Sequence, residues 1–373
     1  MSDYYPGADW IKVKPEEVGV NAMAVNHAAA QLPLNNTVIG MMVVKDGYIV
    51  FEQYNPRFGS NTISQVFSVT KSVISALLGI ALAQKHVGSV DDTVYRYFPE
   101  AEPHVSDYLK KTVTIRHLVT MTSGLYASRR NSFGNRIEET DDWLKHILEL
   151  PIALKIANTF HYNDLYPHLI SAIIARQTGM STLEFANTQL FGQTGMRRAV
   201  PLASVDVMAD ITGNKVIPGD DENQNSHWMC DPQGLTAGGF GLMTDLRDMA
   251  RFGYLYLKGG KWKDKQVIPE QWVKESTQVY TGTGNREPLS AILGEKDQKG
   301  IDTQSGWISG YGYYWWVYEG ELRYYCALGY GGQRIIVIPS KNMVVAIKTT
   351  YSGMSAYQHA EDLWKKIVRE SEI

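Results

Sequence analysis

The segment from Ser68 to Lys85, SVTKSVISALLGIALAQK, constrains the fold more than any other part of the chain. It contains no proline, is rich in Ala, Leu and Ile, and wound as a helix is apolar on nearly every face. A helix of that kind is stable only when packed on all sides, so the rest of the chain must wrap it. Its most apolar stretch, Val73 to Ala83, is eleven residues long. A membrane span needs about 20, so the segment predicts a buried core helix and no membrane partner.

The flanking sequence indicates what does the wrapping. Thr37 to Tyr54 holds two β-rich runs around Asp46-Gly47, a strong hairpin signal. Four further strand-like runs lie late in the chain: Tyr311–Tyr318, Leu322–Ala327, Arg334–Ile338 and Met343–Thr349. Ala356 to Glu370 reads as a closing helix. Between about Ser89 and Ala199 the pattern is helical. Thr114 caps one helix start there, and a run from Leu165 to Gln177 stops at Thr178-Gly179. Further on, Thr244 is a plausible cap for a helix running to Leu257, preceded by Gly238-Gly239-Phe240-Gly241, which reads as a tight turn. Strands at both ends with helices between predict an α+β fold, in which one antiparallel sheet is assembled from both termini and flanked by helices. The division expected is 1–88 and 231–373 as one α/β domain, with 89–230 as a mostly helical insertion.

Several function classes are excluded. The chain has 36 Lys plus Arg against 39 Asp plus Glu, a net charge of −3, so no basic field favours nucleic acid or an anionic membrane. There is no H-E-x-x-H, no His/Cys cluster with metal spacing, no phosphate loop and no G-x-S-x-G elbow. Neither a metal nor a cofactor is expected. The opening MSDYYPGADW lacks the basic and apolar regions of a secretory signal. A cytoplasmic protein is therefore expected, with Cys230 and Cys326 as free thiols.

What remains is Ser68-Val-Thr-Lys71, the one S-x-x-K in the chain. A single match is expected by chance, and its position at the start of the buried helix is what makes it informative. Residues three apart share a helix face, so the lysine amine can reach the serine hydroxyl. Desolvation should lower the Lys71 pKa toward the neutral form that can take the serine proton. The alternative is an N-cap serine and a lysine snorkelling to solvent. A serine nucleophile also needs a second proton-handling group and a second oxyanion donor. Tyr162, in Thr159-Phe-His-Tyr-Asn-Asp164, is the candidate for the first, against an alternative as a packed aromatic. Leu328-Gly-Tyr-Gly-Gly-Gln333 is the candidate for the second. Gly329 and Gly331 would let substrate approach the backbone around Tyr330, unless the run is a simple hairpin turn.

Together these residues resemble the serine β-lactamase and penicillin-binding-protein-like superfamily, in its class C β-lactamase-like esterase and amidase branch, which includes 6-aminohexanoate-dimer hydrolase. The likeness covers roughly Asp46 to Thr350. It rests on Phe67-Ser-Val-Thr-Lys-Ser72, Thr114-Ile-Arg-His-Leu-Val-Thr-Met-Thr-Ser-Gly-Leu125, Phe160-His-Tyr-Asn-Asp164, the stretch from Asp231-Pro-Gln-Gly to Phe252-Gly253, Val267-Ile-Pro with Trp272-Val273, and Ala327-Leu-Gly-Tyr-Gly-Gly-Gln333. The resemblance implies a β-lactamase/transpeptidase-like fold with the site between its two parts. It implies Ser68 as acyl-forming nucleophile, Lys71 and Tyr162 as a coupled base, and an oxyanion hole from the N–H of Ser68 and one near Tyr330. Asp164 stands where the family usually has Asn, which places a charge beside the bound substrate. Ala327 stands where the family has Lys or His, the cation that holds a substrate carboxylate. A small ester or amide is therefore expected as substrate, unless Arg334 or the Tyr126–Trp143 loop supplies that charge. A β-lactamase or D-stereospecific peptidase, an acyltransferase with the same three residues, and a catalytically silent binding module are the other readings.

Overall fold

The computed structural model describes residues 4–7, 9–101, 108–126, 140–203, 216–217, 224–282, 310–350 and 355–371. Its strands are β1 (Val38–Lys45), β2 (Tyr48–Tyr54), β3 (Ile63–Gln65), β4 (Ala199–Ala203), β5 (Val216–Ile217), β6 (Ser226–Cys230), β7 (Leu242–Thr244), β8 (Lys261–Trp262), β9 (Lys265–Gln266), β10 (Thr281–Gly282), β11 (Gly310–Tyr311), β12 (Trp316–Tyr318), β13 (Tyr324–Gly329), β14 (Gln333–Ile338) and β15 (Met343–Thr349). Its α-helices are α1 (Ala22–Gln31), α2 (Val69–Ala83), α3 (Ile115–Val119), α4 (Trp143–Glu149), α5 (Leu165–Thr178), α6 (Thr182–Ala186), α7 (Gly192–Thr194), α8 (Leu246–Leu257), α9 (Glu270–Ser276) and α10 (Ser355–Arg369).

Strands from both ends of the chain form one eight-stranded antiparallel sheet, in the order β10-β11-β12-β13-β14-β15-β1-β2. The closing contact is β1 on β15, with Met41 opposite Ile347. Asp46 and Gly47 both take positive φ, 56° and 90°, the backbone that a two-residue hairpin between β1 and β2 requires. Neighbouring residues of a strand point to opposite faces. Arg334 of β14 meets Glu361 of α10. On the other face, a side chain added at Gly253 of α8 would press on Ile335 and Val344. The sheet is thus sandwiched between α10 and α8. Helix α2 is buried over almost its whole length, as its composition predicts. It is approached closely by Trp272 of α9, whose ring occupies the space beside Gly79.

Three differences from the sequence-based expectation have physical causes. The run Tyr311–Tyr318 is two strands, because the chain reverses at Gly312 to Trp315 and Tyr314 takes a φ of 63°. Helix α8 is capped by Asp245, whose carboxylate accepts the N–H of Asp248 at 2.8 Å, while Thr244 ends β7. A second sheet, β4-β6-β7-β3-β5, is formed by strands too short for period-two patterning to reveal. Its neighbours β3 and β7 lead into Ser68 and out of Gly238–Gly241, so this sheet brings two distant parts of the site together. Cys230 and Cys326 are buried free thiols. Among the described residues no helix is long and apolar enough to cross a membrane.

Candidate active site

Ser68 opens α2, but its side chain caps nothing, and Lys71 is 1% exposed. The capping-and-snorkelling alternative is thereby removed. Phe67, just before Ser68, takes a φ of 49°, a sparsely populated backbone that costs of order 1 kcal/mol and persists only where its surroundings impose it. The constraint comes from Val66, whose N–H bonds Leu242 at 2.9 Å, and from Thr70, whose N–H bonds Phe67 at 3.0 Å. Lys71 Nζ has three acceptors around it. They are Ser68 Oγ at 2.8 Å, the Gly239 carbonyl at 2.7 Å, and Asp164 Oδ1 in a close ion pair. The Tyr162 ring lies beside the same ammonium, 4.8 Å from its centroid.

The electrostatics reverse one expectation. Burial does push the Lys71 amine down, but the Asp164 carboxylate and Tyr162 outweigh it and hold the pKa above that of an ordinary lysine. Tyr162 is also raised, first by burial and further by Asp164, against the pull of Lys71. In its resting state the site therefore holds a Lys71 ammonium and a neutral Tyr162 phenol, with Asp164 paired to the ammonium. Burial by itself does not mark the lysine of interest. Lys348 is fully buried, is pushed down to about 7 by burial, and among the described residues donates to the carbonyls of Thr62 and Thr244.

The segment carrying Tyr162 is held from two directions. The His161 N–H bonds the Met121 carbonyl at 2.8 Å, and the Ala157 N–H bonds that of Thr122 at 2.9 Å. The Thr114–Leu125 motif thus acts as a clamp. Thr114 caps α3 with a reciprocal bond to His117, as its position predicts. Asn163, to which sequence reasoning gave no part, caps α5. Its Oδ1 accepts the N–H groups of Leu165 and Tyr166 at 3.0 and 3.1 Å. Asp164, relieved of capping, turns its carboxylate to Lys71.

At the end of β13, Gly329 lies so close to the Val66 carbonyl that a side chain there would overlap it. Tyr330 follows, 44% exposed, its ring edge-on to Phe67 at 5.8 Å. Gly331 takes a φ of 77°, and its carbonyl is held by Thr349 Oγ1 at 2.6 Å. The turn that carries Tyr330 is therefore fixed against Val66 and Phe67, the residues that lead into Ser68. Across the site, Tyr162 packs on Trp316 at 5.5 Å, and Phe160 and Tyr311 complete an aromatic wall. The Tyr126–Trp143 loop falls largely outside the described residues.

The sequence predicts a tight turn at Gly238–Gly241, and the structure makes the segment part of the site. Its Gly239 carbonyl is an acceptor for Lys71, and its backbone lies against Pro167 and Asp164. The signal available was two adjacent glycines, which allow that approach but do not say to what. Replacing Gly239 with alanine would drive a methyl into the Asp164 backbone. A loss of about 1–3 kcal/mol, as in other overpacked sites, is expected in thermal melts, together with slower labelling of Ser68. Unchanged melting and labelling would show that the segment yields freely.

The comparisons with known proteins agree with this architecture. The protein-family description Beta-lactamase matches residues 29–368. The chain belongs to the beta-lactamase family. Within this family of beta-lactamase-fold hydrolases, an uncharacterised protein of Alkalihalophilus pseudofirmus is 23% identical over 341 residues, 87% of this chain and 88% of that one. Esterase EstB of Burkholderia gladioli is 26% identical over 150 residues, 37% of this chain and 38% of that enzyme. A solved structure from Bacillus anthracis, provisionally described as a 6-aminohexanoate-dimer hydrolase, superposes with a TM-score of 0.69 at 17% identity, over 98% of this chain and 87% of that one. The last likeness is one of fold. The expected α+β, β-lactamase/transpeptidase-like architecture is the one observed.

Proposed function

We propose that this beta-lactamase-family chain is a serine hydrolase that cleaves a small, neutral ester or amide through an acyl-enzyme on Ser68. The observation that carries the reading is the 2.8 Å contact of the buried Lys71 Nζ with Ser68 Oγ at the start of α2. With one proton removed from the Lys71–Tyr162 pair, that pair can accept the hydroxyl proton of Ser68 as Oγ bonds the substrate carbonyl carbon. The negative charge moves to the carbonyl oxygen. The N–H of Ser68, which α2 itself leaves without an acceptor, and the N–H of Tyr330 are proposed to receive it. The tetrahedral adduct collapses, the bond to the alcohol or amine breaks, and the leaving group takes the proton from the pair. Water then attacks the acyl carbon by the same route, releasing the acid and returning the proton to Ser68. Labelling of Ser68 by a fluorophosphonate, mapped by mass spectrometry, tests the assignment. An intact site that does not label would favour the silent module. Cytoplasmic location belongs to the same proposal and is checked by cell fractionation.

The substrate class follows from the walls and from the missing cation. Phe67 and Tyr330 next to Ser68, and Tyr162, Trp316 and Tyr311 next to Lys71, surround the site with aromatic rings. Arg334, the candidate to replace the absent lysine or histidine, is engaged with Glu361 on the far face of the sheet. Ala327 is fully buried. A charged hydrogen bond to a substrate carboxylate is worth roughly 1.5–3 kcal/mol, and no described residue beside Ser68 other than Lys71 offers one. The kcat/KM for p-nitrophenyl acetate or butyrate is therefore expected to exceed that for nitrocefin by at least about tenfold, a barrier difference of roughly 1.4 kcal/mol. Equal turnover of nitrocefin would place the penicillin-recognising reading first.

A further inference from the structure

Resting on the hydrolase reading, we propose that Asp164 is a positioning residue that sets the pH at which Ser68 can be acylated, by holding the proton on Lys71. The argument begins with the valences of Lys71. An ammonium has three N–H groups, and Nζ meets Ser68 Oγ, Asp164 Oδ1 and the Gly239 carbonyl, with the Tyr162 hydroxyl as a further hydrogen-bond partner. A neutral amine has two N–H groups and a lone pair. It would donate to Asp164 and Gly239 and accept the hydroxyl proton of Ser68. Both states are satisfied by the same neighbours with no movement of any side chain. Geometry therefore does not choose between them, and charge does.

The groups that face this point can be named element by element. Lys71 comes from α2, Tyr162 and Asp164 from the segment entering α5, and Tyr311 and Tyr314 from β11 and the turn after it. The tyrosines all have raised pKa values, with burial the first cause, and are neutral at rest. Among the described residues touching Lys71, Asp164 is the only carboxylate. Its side chain is 22% exposed. Its removal would favour loss of a proton from the Lys71–Tyr162 pair by either route, since Asp164 raises both groups.

The substitution that tests this is structurally mild. Asn163 supplies the α5 cap, so Asp164→Asn leaves that helix start intact and keeps an oxygen for Lys71 to donate to. The pH profile of kcat/KM for p-nitrophenyl butyrate, and of the rate of fluorophosphonate labelling, is measured on the full chain for wild type, Asp164→Asn and Asp164→Glu. For Asp164→Asn the acid limb of both profiles is expected to move down by about one pH unit or more, the usual effect of a neighbouring charge. For Asp164→Glu, which retains the charge, it should stay near the wild-type position. A uniform loss of rate with no movement of the limb would assign Asp164 a purely structural role and overturn the proposal. Asp164→Ser serves if Asp164→Asn does not fold, and failure of both to fold likewise assigns the residue to structure. Wild type that labels while the limb stays fixed refutes only this inference. Wild type that labels at no pH refutes the hydrolase reading and this inference with it.

Discussion

Replacing Ser68 with alanine is expected to abolish covalent labelling and to lower turnover by at least about a thousandfold, the scale seen when the nucleophile of a serine enzyme is removed. The size of the effect follows from what Ser68 does and does not do. It caps no helix, so α2 loses no end group. It gives up its hydrogen bonds with Lys71 and Tyr162, and Lys71 keeps Asp164 and the Gly239 carbonyl as partners. Circular dichroism and the melting temperature should therefore remain close to wild type while the chemistry disappears. Residual turnover from the oxyanion donors alone would not be surprising. Near-wild-type turnover by Ser68→Ala would move the nucleophile elsewhere.

Lys71→Arg should be nearly as damaging as Lys71→Met, although it retains the positive charge. Arginine does not deprotonate in a protein, so it can neither accept the serine proton nor share one with Tyr162. It also brings a planar fork into a site built for a point donor with three acceptors, in which the side chain is 1% exposed. Activity below about a tenth of wild type is expected, a barrier increase above roughly 1.4 kcal/mol. The two variants separate otherwise in stability. Lys71→Met leaves Asp164 without its counter-charge and should melt lower, whereas Lys71→Arg keeps the pair. An arginine enzyme that works well would reduce Lys71 to a structural cation and would also remove the basis for assigning Asp164 its influence over pH.

These expectations bear on why the family resemblance does not by itself name a substrate. The three residues proposed for the chemistry are present and adjacent. The groups proposed to select a substrate are the aromatic rings around the site and the missing cation. The ester-against-nitrocefin comparison therefore addresses a different question from the Ser68 and Lys71 variants. One asks what the cleft admits, and the others ask whether the chemistry happens at Ser68.

Local rules determined much of what the sequence revealed. A serine and a lysine three apart on a helix must share a face, and the apolar composition of Val69–Ala83 means that face is buried. The β1–β2 hairpin follows from the Asp-Gly backbone preference, and the α3 start from the reach of the Thr114 hydroxyl. These contacts close over a few residues, so composition and spacing suffice to predict them. The protonation of Lys71 is of another kind. It is set by Asp164, 93 residues away, together with Tyr162, while the Gly239 carbonyl, 168 residues away, accepts one N–H of the same amine. Only the pairing of β3 with β7 and the capping of α5 by Asn163 bring those groups to the amine. Sequence reasoning had only burial to work with and so expected a lysine poised to be neutral. The same holds for Arg334: its charge is plain in the sequence, but its commitment to Glu361 depends on which face of β14 it occupies in the assembled sheet. Charge–charge energies act through space and vary with distance and solvation, so their outcome belongs to the tertiary structure.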